Sequence, residues 1–554
     1  MNKPAAFCGG MTKSYKGGRL MSIRITLASS LEKIFDNAPL PESYDRLCLL
    51  RGERGGLQCA VVCDADADLT VSVASQNPCR LYLVKDVPVG LAVYENARNC
   101  TVLNGGKSGD YPDLLVPCDG SVSVKAGRPA VLWAEFTGQT PGEDEAVFTA
   151  QGKGQRAEAR AAVTVAETAL PPQQLRHINW FHADCLSTYY GVEVFSEEHW
   201  RIVENFMRNA AAHGVNVSFT PLFTPPLDTE VGGERPTVQL VDVVKKGYTY
   251  TFGFEKLDRW IDAATRSGMR YFEFSHLFTQ WGAKHAPKIM ARTSSGYKRI
   301  FGWENDSLSQ GYVSFLRQFG PALKAYTDAK GVTDRCLVHC SDEPGKGDLR
   351  RYRKTAAVLH EYFGAYEHVD ALSDFAFYEE GLIGTPVPSE QAVPVFDGRV
   401  PKLWTYYCCG QYSVELPNRF IAFPSLRNRI LGTLLYKYDC DGFLQWGYNF
   451  YYTQLSRRPV DPFQVTDAGG AFPAGDAFVV YPSANGEPLP SLRQKVFYDG
   501  IQDIAMLRAL EAKTSRAHVL DVIREELGEI DFTHYPMDNA RFLRFRERIA
   551  GKLG

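Results

Sequence analysis

Cys336-Leu337-Val338-His339-Cys340-Ser341-Asp342-Glu343-Pro344 is an apolar run that ends in two adjacent carboxylates. A short apolar run of this kind reads as a buried strand. Seating Asp342 and Glu343 side by side at its mouth is costly. Each gives up water and each repels the other's charge, so at least one pKa is expected to rise. One acid that holds a proton beside one that stays ionised is the equipment for breaking glycosidic bonds.

Strand-like and helix-like stretches alternate around this run. Strands read at 175–181, 215–220 and 269–274 before it, and at 371–377, 403–408, 442–446 and 478–481 after it. Ser196 suits a helix N-cap, with Glu197 and Glu198 in the first turn. Trp200, Val203, Met207 and Ala210 trace one helical face, and Gly214 suits the stop. Leu257, Trp260, Ile261 and Ala264 mark a second helix, ended by Gly268, and a third ends near Gly331. Eight strands mostly separated by helices predict a (β/α)8 TIM-like barrel. Further helices are expected at 492–513 and 515–526.

Upstream the pattern differs. Alternating segments at 57–62, 70–73, 80–84, 121–124 and 130–134, with a hairpin over 142–167, are separated by Gly, Pro, Asn and Asp. They predict an antiparallel β-sandwich. Ala169-Leu170-Pro171-Pro172 reads as a stiff linker. The expected fold is therefore multidomain α/β, with the sandwich over 21–168 and a catalytic barrel with C-terminal helices over 173–554. Residues 1–20 read as a disordered leader. They hold no apolar h-region, so no signal peptide is visible and a cytoplasmic location is expected.

The chain's net charge is -3 and no basic stripe occurs, which argues against nucleic acid or an anionic membrane as partner. No run reaches the length of a membrane span. The 13 cysteines are odd in number and irregular in spacing, so reduced buried thiols are expected rather than a disulfide framework. His177, His182 and Cys185 fit no zinc spacing, and HExxH is missing. The Gly105-Gly106 and Gly232-Gly233 pairs lack a phosphate-loop context, and no GxSxG elbow occurs. No metal and no cofactor is expected.

On a barrel, catalytic groups come from the C-terminal strand ends. Those ends here carry Trp180, His182 and Asp184; His276; Asp342 and Glu343; Tyr406 and Tyr407; and Trp446 and Asn449. The bland alternative for the acid pair is a helix start with Pro344 at its first position. That accounts for one carboxylate better than for two. Pro344 predicts an extended Glu343 that projects from the strand end. Strand alternation puts Trp404 and Tyr406 on one side and Thr405 and Tyr407 on the other, so only one tyrosine is expected in the mouth.

Several stretches together resemble glycoside hydrolase family 123, the β-N-acetylgalactosaminidases. They are Trp180-Phe181-His182-Ala183-Asp184-Cys185-Leu186 with Phe195-Ser196-Glu197-Glu198-His199-Trp200, the Ser-Asp-Glu-Pro run, and Leu403-Trp404-Thr405-Tyr406. Gly442-Phe443-Leu444-Gln445-Trp446-Gly447, Leu489-Pro490-Ser491-Leu492-Arg493 and Asp499-Gly500-Ile501-Gln502-Asp503 complete the set, with Tyr111-Pro112-Asp113 upstream. The resemblance implies a retaining, substrate-assisted exo-glycosidase that releases β-linked N-acetylgalactosamine from a glycan or glycoconjugate. Glu343 would be the acid and base, and Asp342 would orient the acetamido group. Tyr406, with Tyr407 second, would bond the acetamido oxygen, and Trp446 would stack on the sugar. His182, Asp184, His276 and Asn449 would bond its hydroxyls. The loop departs from the family pattern after Tyr406, at Tyr407-Cys408-Cys409-Gly410. Two other readings are a β-N-acetylhexosaminidase of other sugar specificity and a non-catalytic carbohydrate-binding barrel.

Overall fold

The computed structural model describes residues 21–554, so the leader expected over 1–20 lies outside the described residues. The N-terminal part is two five-stranded sheets. One pairs Ile23–Ser29, Arg54–Cys63, Ala130–Thr137, Cys79–Val89 and Gly109–Pro117 in that order, all antiparallel. The other runs Arg46–Arg51, Gln155–Ala169, Gly142–Gly152, Ala67–Ala74 and Ser121–Val124. Its first pair is parallel, which corrects the all-antiparallel expectation. After Arg51 the chain turns at Gly52, at a φ of 86° that favours glycine, and enters the facing sheet. Arg46–Arg51 therefore has no hairpin partner in its own sheet. Alternate residues such as Leu57, Cys59, Val61, Leu69, Val71, Phe148 and Val163 fill the space between the sheets.

The second part is an eight-stranded parallel sheet. Its order is Thr385–Val387, Glu367–Ala371, Cys336–His339, Tyr271–Phe274, Val217–Thr220, Arg176–Asn179, Gly442–Gln445 and Trp404–Tyr406. The ends nearly close on each other. Tyr406 N donates to Pro388 O at 3.1 Å, Thr405 Oγ1 donates to the same oxygen at 2.9 Å, and Ser389 bridges Tyr406 in parallel.

The strand count of eight came out right through two compensating errors. The fifth strand is Glu367–Ala371, ending where the expected one began, and Phe377 sits in a short helix instead. Thr385–Val387 was missed because three residues around a proline carry no alternation. The run at 478–481 is no barrel strand. Tyr481–Pro482 pairs with Pro488–Leu489 in a separate hairpin, and Phe478 is apolar because it packs on Tyr451 and Tyr481.

Helix signals were more legible. Ser196 Oγ accepts from His199 N at 3.3 Å and starts Glu197–Ala212. Glu255–Ser267 stops at Gly268 and Gln310–Lys330 at Gly331, both left-handed. Ser425–Lys437 and Leu492–Lys513 cross so closely that a Cβ at Gly432 would collide with the Gly500 carbonyl. A four-stranded sheet of two hairpins, Asp242–Lys246 with Thr249–Gly253 and Ile289–Thr293 with Gly296–Phe301, went unread in the sequence. Its Tyr250, Phe252 and Phe301 pack on Phe315. Among the described residues no helix is long and apolar enough to cross a membrane.

Candidate active site

A cavity of about 220 Å³ opens at the C-terminal ends of the parallel strands. Trp180, Asp342, Glu343, Tyr406, Tyr407 and Trp446, all singled out in the sequence, line it together. His182, Asp184, His276 and Asn449 do not. Asn449 Oδ1 accepts from His182 N at 2.8 Å and its Nδ2 donates to His182 O at 3.1 Å, a pairing that pins two strand ends. Asp184 is held by Arg235 through two bonds of 2.7 and 2.8 Å, with both side chains 2 % exposed. His276 lies behind Trp180, ring edge to face at 5.1 Å. These four shape the wall from behind.

The acid pair stands on a strained turn. Asp342 has φ 135° and Glu343 φ 43°, both left-handed for residues that carry a Cβ. The extended Glu343 expected from Pro344 is thus corrected. Tertiary bonds outweigh the local preference. Ser341 N donates to Asp370 Oδ2 at 3.1 Å, and Ser341 Oγ donates to Thr279 O at 3.0 Å. Trp281 N donates to Asp342 O at 3.0 Å, and Glu343 N donates to Ala371 O at 2.8 Å. Strain held by several independent bonds marks sites built for chemistry. The next helical segment, a 3-10 turn at Lys346–Asp348 that runs into the helix Leu349–Phe363, is capped at Gly345, so the pair precedes its first turn. Asp228 (φ 38°) and Trp281 (φ 57°) bring the left-handed backbone to four of the cavity's non-glycine lining residues.

Tyr406 OH donates to Glu343 Oε1 at 2.7 Å. Tyr407 also lines the cavity, because the strand ends at Tyr406 and alternation ends with it. Its hydroxyl is buried and has no partner among the described residues. Cys408 and Cys409 are free thiols on the same wall. Trp446 Nε1 donates to Asp476 Oδ2 at 3.0 Å.

Burial, then the charge of Glu343, pushes the Asp342 carboxyl well above the usual carboxylate range. The proton of the empty pair therefore rests readily on Asp342. Asp228 and Gln280 were missed in the sequence and also line the cavity, where Asp228 N donates to Gln280 Oε1 at 2.8 Å. Asp228 Oδ2 accepts from Leu455 N at 2.9 Å, and burial raises its pKa to about 6. They lie in a loop after the second strand and past the third, with no motif to flag them. His276, His339 and Asp342 bring nitrogen and oxygen atoms within 4.8 Å of one another. Both His339 nitrogens already face carboxylates, Glu273 at 2.9 Å and Asp370 at 2.8 Å. That leaves a poor donor set for an ion.

The catalytic domain of glycoside hydrolase 123 matches residues 180–510. The solved structure of a family 123 glycoside hydrolase from Clostridium perfringens, described for glycolipid glycan hydrolysis, superposes with a TM-score of 0.72 at 13% identity. The match covers 96% of this chain and 98% of that one, so the two share the whole fold. A family 5 mannosidase from Rhizomucor miehei matches at 11% identity and TM-score 0.33, over 60% of this chain and 94% of its own. Bacteroides uniformis β-glucuronidase 3 matches at 10% and 0.31, over 86% and 51%. Both likenesses are too loose to bear on this fold. No curated protein sequence matches. The matched catalytic domain spans more than half of the chain and contains the cavity's acid pair, and the chain belongs to glycoside hydrolase family 123.

Proposed function

We propose that this glycoside hydrolase is a retaining exo-enzyme that removes terminal β-linked N-acetylgalactosamine from a glycoconjugate, with the sugar's own acetamido group as nucleophile. The carrying observation is that both acids of the pair rise from one turn on one wall of the cavity. Two-carboxylate mechanisms place their acids on opposite sides of the scissile bond. Neighbours on one wall serve a different division of labour. Glu343 protonates the leaving oxygen and later takes a proton from water. Asp342 accepts a hydrogen bond from the acetamido N–H and steadies the positive charge of the oxazolinium ring. The carbonyl oxygen forms the bond to C1 as the glycosidic bond breaks, and water reopens the ring with the β configuration retained.

The sugar's developing positive charge favours ionised Asp342, so binding and reaction draw the pair's proton toward Glu343. Tyr406, whose single O–H goes to Glu343 in the free enzyme, would turn that proton to the acetamido oxygen when the sugar binds, and Trp446 would offer an apolar face to the ring. Asp228 and Gln280 line the same cavity and would bond sugar hydroxyls. The galacto preference rests on the family resemblance, and a glycolipid carrier on what the Clostridium perfringens enzyme is described to hydrolyse.

A panel of 4-nitrophenyl glycosides tests this. Hydrolysis of the N-acetyl-β-galactosaminide with retained configuration is expected. Asp342→Asn should lose about 10²-fold or more in kcat, the scale of a lost transition-state charge partner. Inversion, or an Asp228→Asn variant hit harder than Asp342→Asn, would replace the assisted pathway with a water-attack mechanism across the cavity. Turnover of the gluco epimer alone would move the specificity to N-acetylglucosamine.

A further inference from the structure

We propose that His339, clamped between Glu273 and Asp370, is a positioning residue: a fixed cation beneath Asp342 that keeps that carboxylate ionised and aimed while the sugar reacts. The inference rests on the assisted mechanism above. The His339 ring is fully buried at the end of its strand, three residues before Asp342.

Two neighbouring parallel strands and Trp180, one residue past the end of a third, meet at this ring. Glu273, from Tyr271–Phe274, receives Nδ1–H at 2.9 Å, and the same Oε1 also accepts from Trp180 Nε1 at 3.2 Å. Asp370, from Glu367–Ala371, lies 2.8 Å from Nε2 through its Oδ1. Ala371 N lies 3.2 Å from the same ring nitrogen. That nitrogen can serve only one of them. Asp370 Oδ1 has no other partner, and Asp370 Oδ2 already accepts from Tyr352 OH at 2.7 Å and Ser341 N at 3.1 Å. Nε2 therefore carries a proton for Oδ1, and the ring is an imidazolium. Burial opposes this, yet Asp370 and Glu273 raise the His339 pKa to about 10.

The charged groups around Asp342 can then be named from every side. Glu343 on its own turn, and Asp370 and Glu273 from the neighbouring strands, push its pKa up. His339 is the cation that pulls it down. His276 adds nothing to the charge. Its ring lies 4.2 Å from His339, and burial with the charge of His339 holds it neutral. Among the described residues, both of its ring nitrogens lack partners. Asp370 also has a second task, since its Oδ2 fixes the Ser341 amide and so the turn that aims Asp342. One carboxylate thus couples the charge of the ring to the geometry of the acid.

The pH profile of kcat/KM in the full-length enzyme tests this. In His339→Gln the acidic limb should move up by about one pH unit or more, the scale of losing an opposite charge within ~4–6 Å. kcat should fall while KM changes little. His339→Asn should move the limb the same way, and it provides the answer if the glutamine variant fails to fold. In the Asp342→Asn background neither change should cost further rate. Folded variants that keep the parent acidic limb overturn the role of His339 and leave the assisted pathway standing. An Asp342→Asn enzyme at parental rate overturns that pathway itself.

Discussion

Two buried ionic networks divide this molecule, one at the joint between sandwich and barrel and one at the barrel mouth. At the joint, Arg429 meets Asp503 at 2.9 and 3.1 Å and Asp499 at 3.3 Å. Arg546 meets the same Asp503 at 2.9 Å and reaches Glu53 of the sandwich. Arg493 clasps Asp113 with two bonds of 2.9 Å, and Lys495 meets Glu135 at 2.7 Å. Every one of these ions is matched, and none has a buried atom without a partner. At the mouth the opposite holds. Glu273 Oε2, both His276 nitrogens and the Tyr407 hydroxyl are unpartnered among the described residues, and the backbone of the acid pair is strained. A matched network fixes how two parts of a chain sit together. An unmatched one keeps groups ready for a substrate or a proton.

Variants can break that contrast. The largest effect is expected from Glu343→Gln. Loss of general acid–base help should cost about 10²–10⁴ in kcat, more on a natural glycan than on a 4-nitrophenyl glycoside whose leaving group needs no proton. The midpoint of chemical denaturation should stay put or rise, because the mouth is where stability is given up. A parental rate on the natural glycan would remove Glu343 from the chemistry. Next comes Asp503→Ala at the joint, which leaves Arg429 and Arg546 short of a partner. Breaking a buried pair costs about 3–5 kcal/mol, so the denaturation midpoint should drop while kcat per folded molecule holds. The reverse outcome, lost turnover at an unchanged midpoint, would mean that the joint serves the reaction and that the two networks are one.

The same contrast explains what the sequence showed. Helix limits were readable because Ser196, Gly268 and Gly331 act locally, through a cap or a left-handed stop. The acid pair was readable because its cost is local too. The stretches that resembled family 123 did not all mark the catalytic cavity. Asp113, Arg493, Asp499 and Asp503 belong to the joint, and His182, Asp184 and Asn449 to the scaffold behind the cavity. A motif records that a residue is needed and is silent on whether it binds substrate or holds two elements together. The third barrel strand's Glu273 and the fifth strand's Asp370 went unnoticed for the converse reason. Glu273 is a lone acid in an apolar run and Asp370 sits just before the strand expected at 371–377, and their meaning appears only when His339 is placed between them.

Adjacent tyrosines give the finest version of the comparison. Tyr406 and Tyr407 share one wall, but only the first has a hydroxyl partner, Glu343 at 2.7 Å. Tyr406→Phe removes a bond to a charged group, worth about 1.5–3 kcal/mol, so kcat/KM should fall by roughly ten- to a hundredfold. Tyr407→Phe removes a buried oxygen that bonds to nothing, and its ring still packs on Phe443. Deleting an unsatisfied polar group from an apolar site is neutral or stabilising, so rate and stability should both stay within about 1 kcal/mol of the parent. A large loss of kcat/KM in Tyr407→Phe with Tyr406→Phe unimpaired would exchange the two roles. It would mean that substrate supplies the partner which the Tyr407 hydroxyl lacks, and that the bond from Tyr406 serves only to hold Glu343 in the empty cavity.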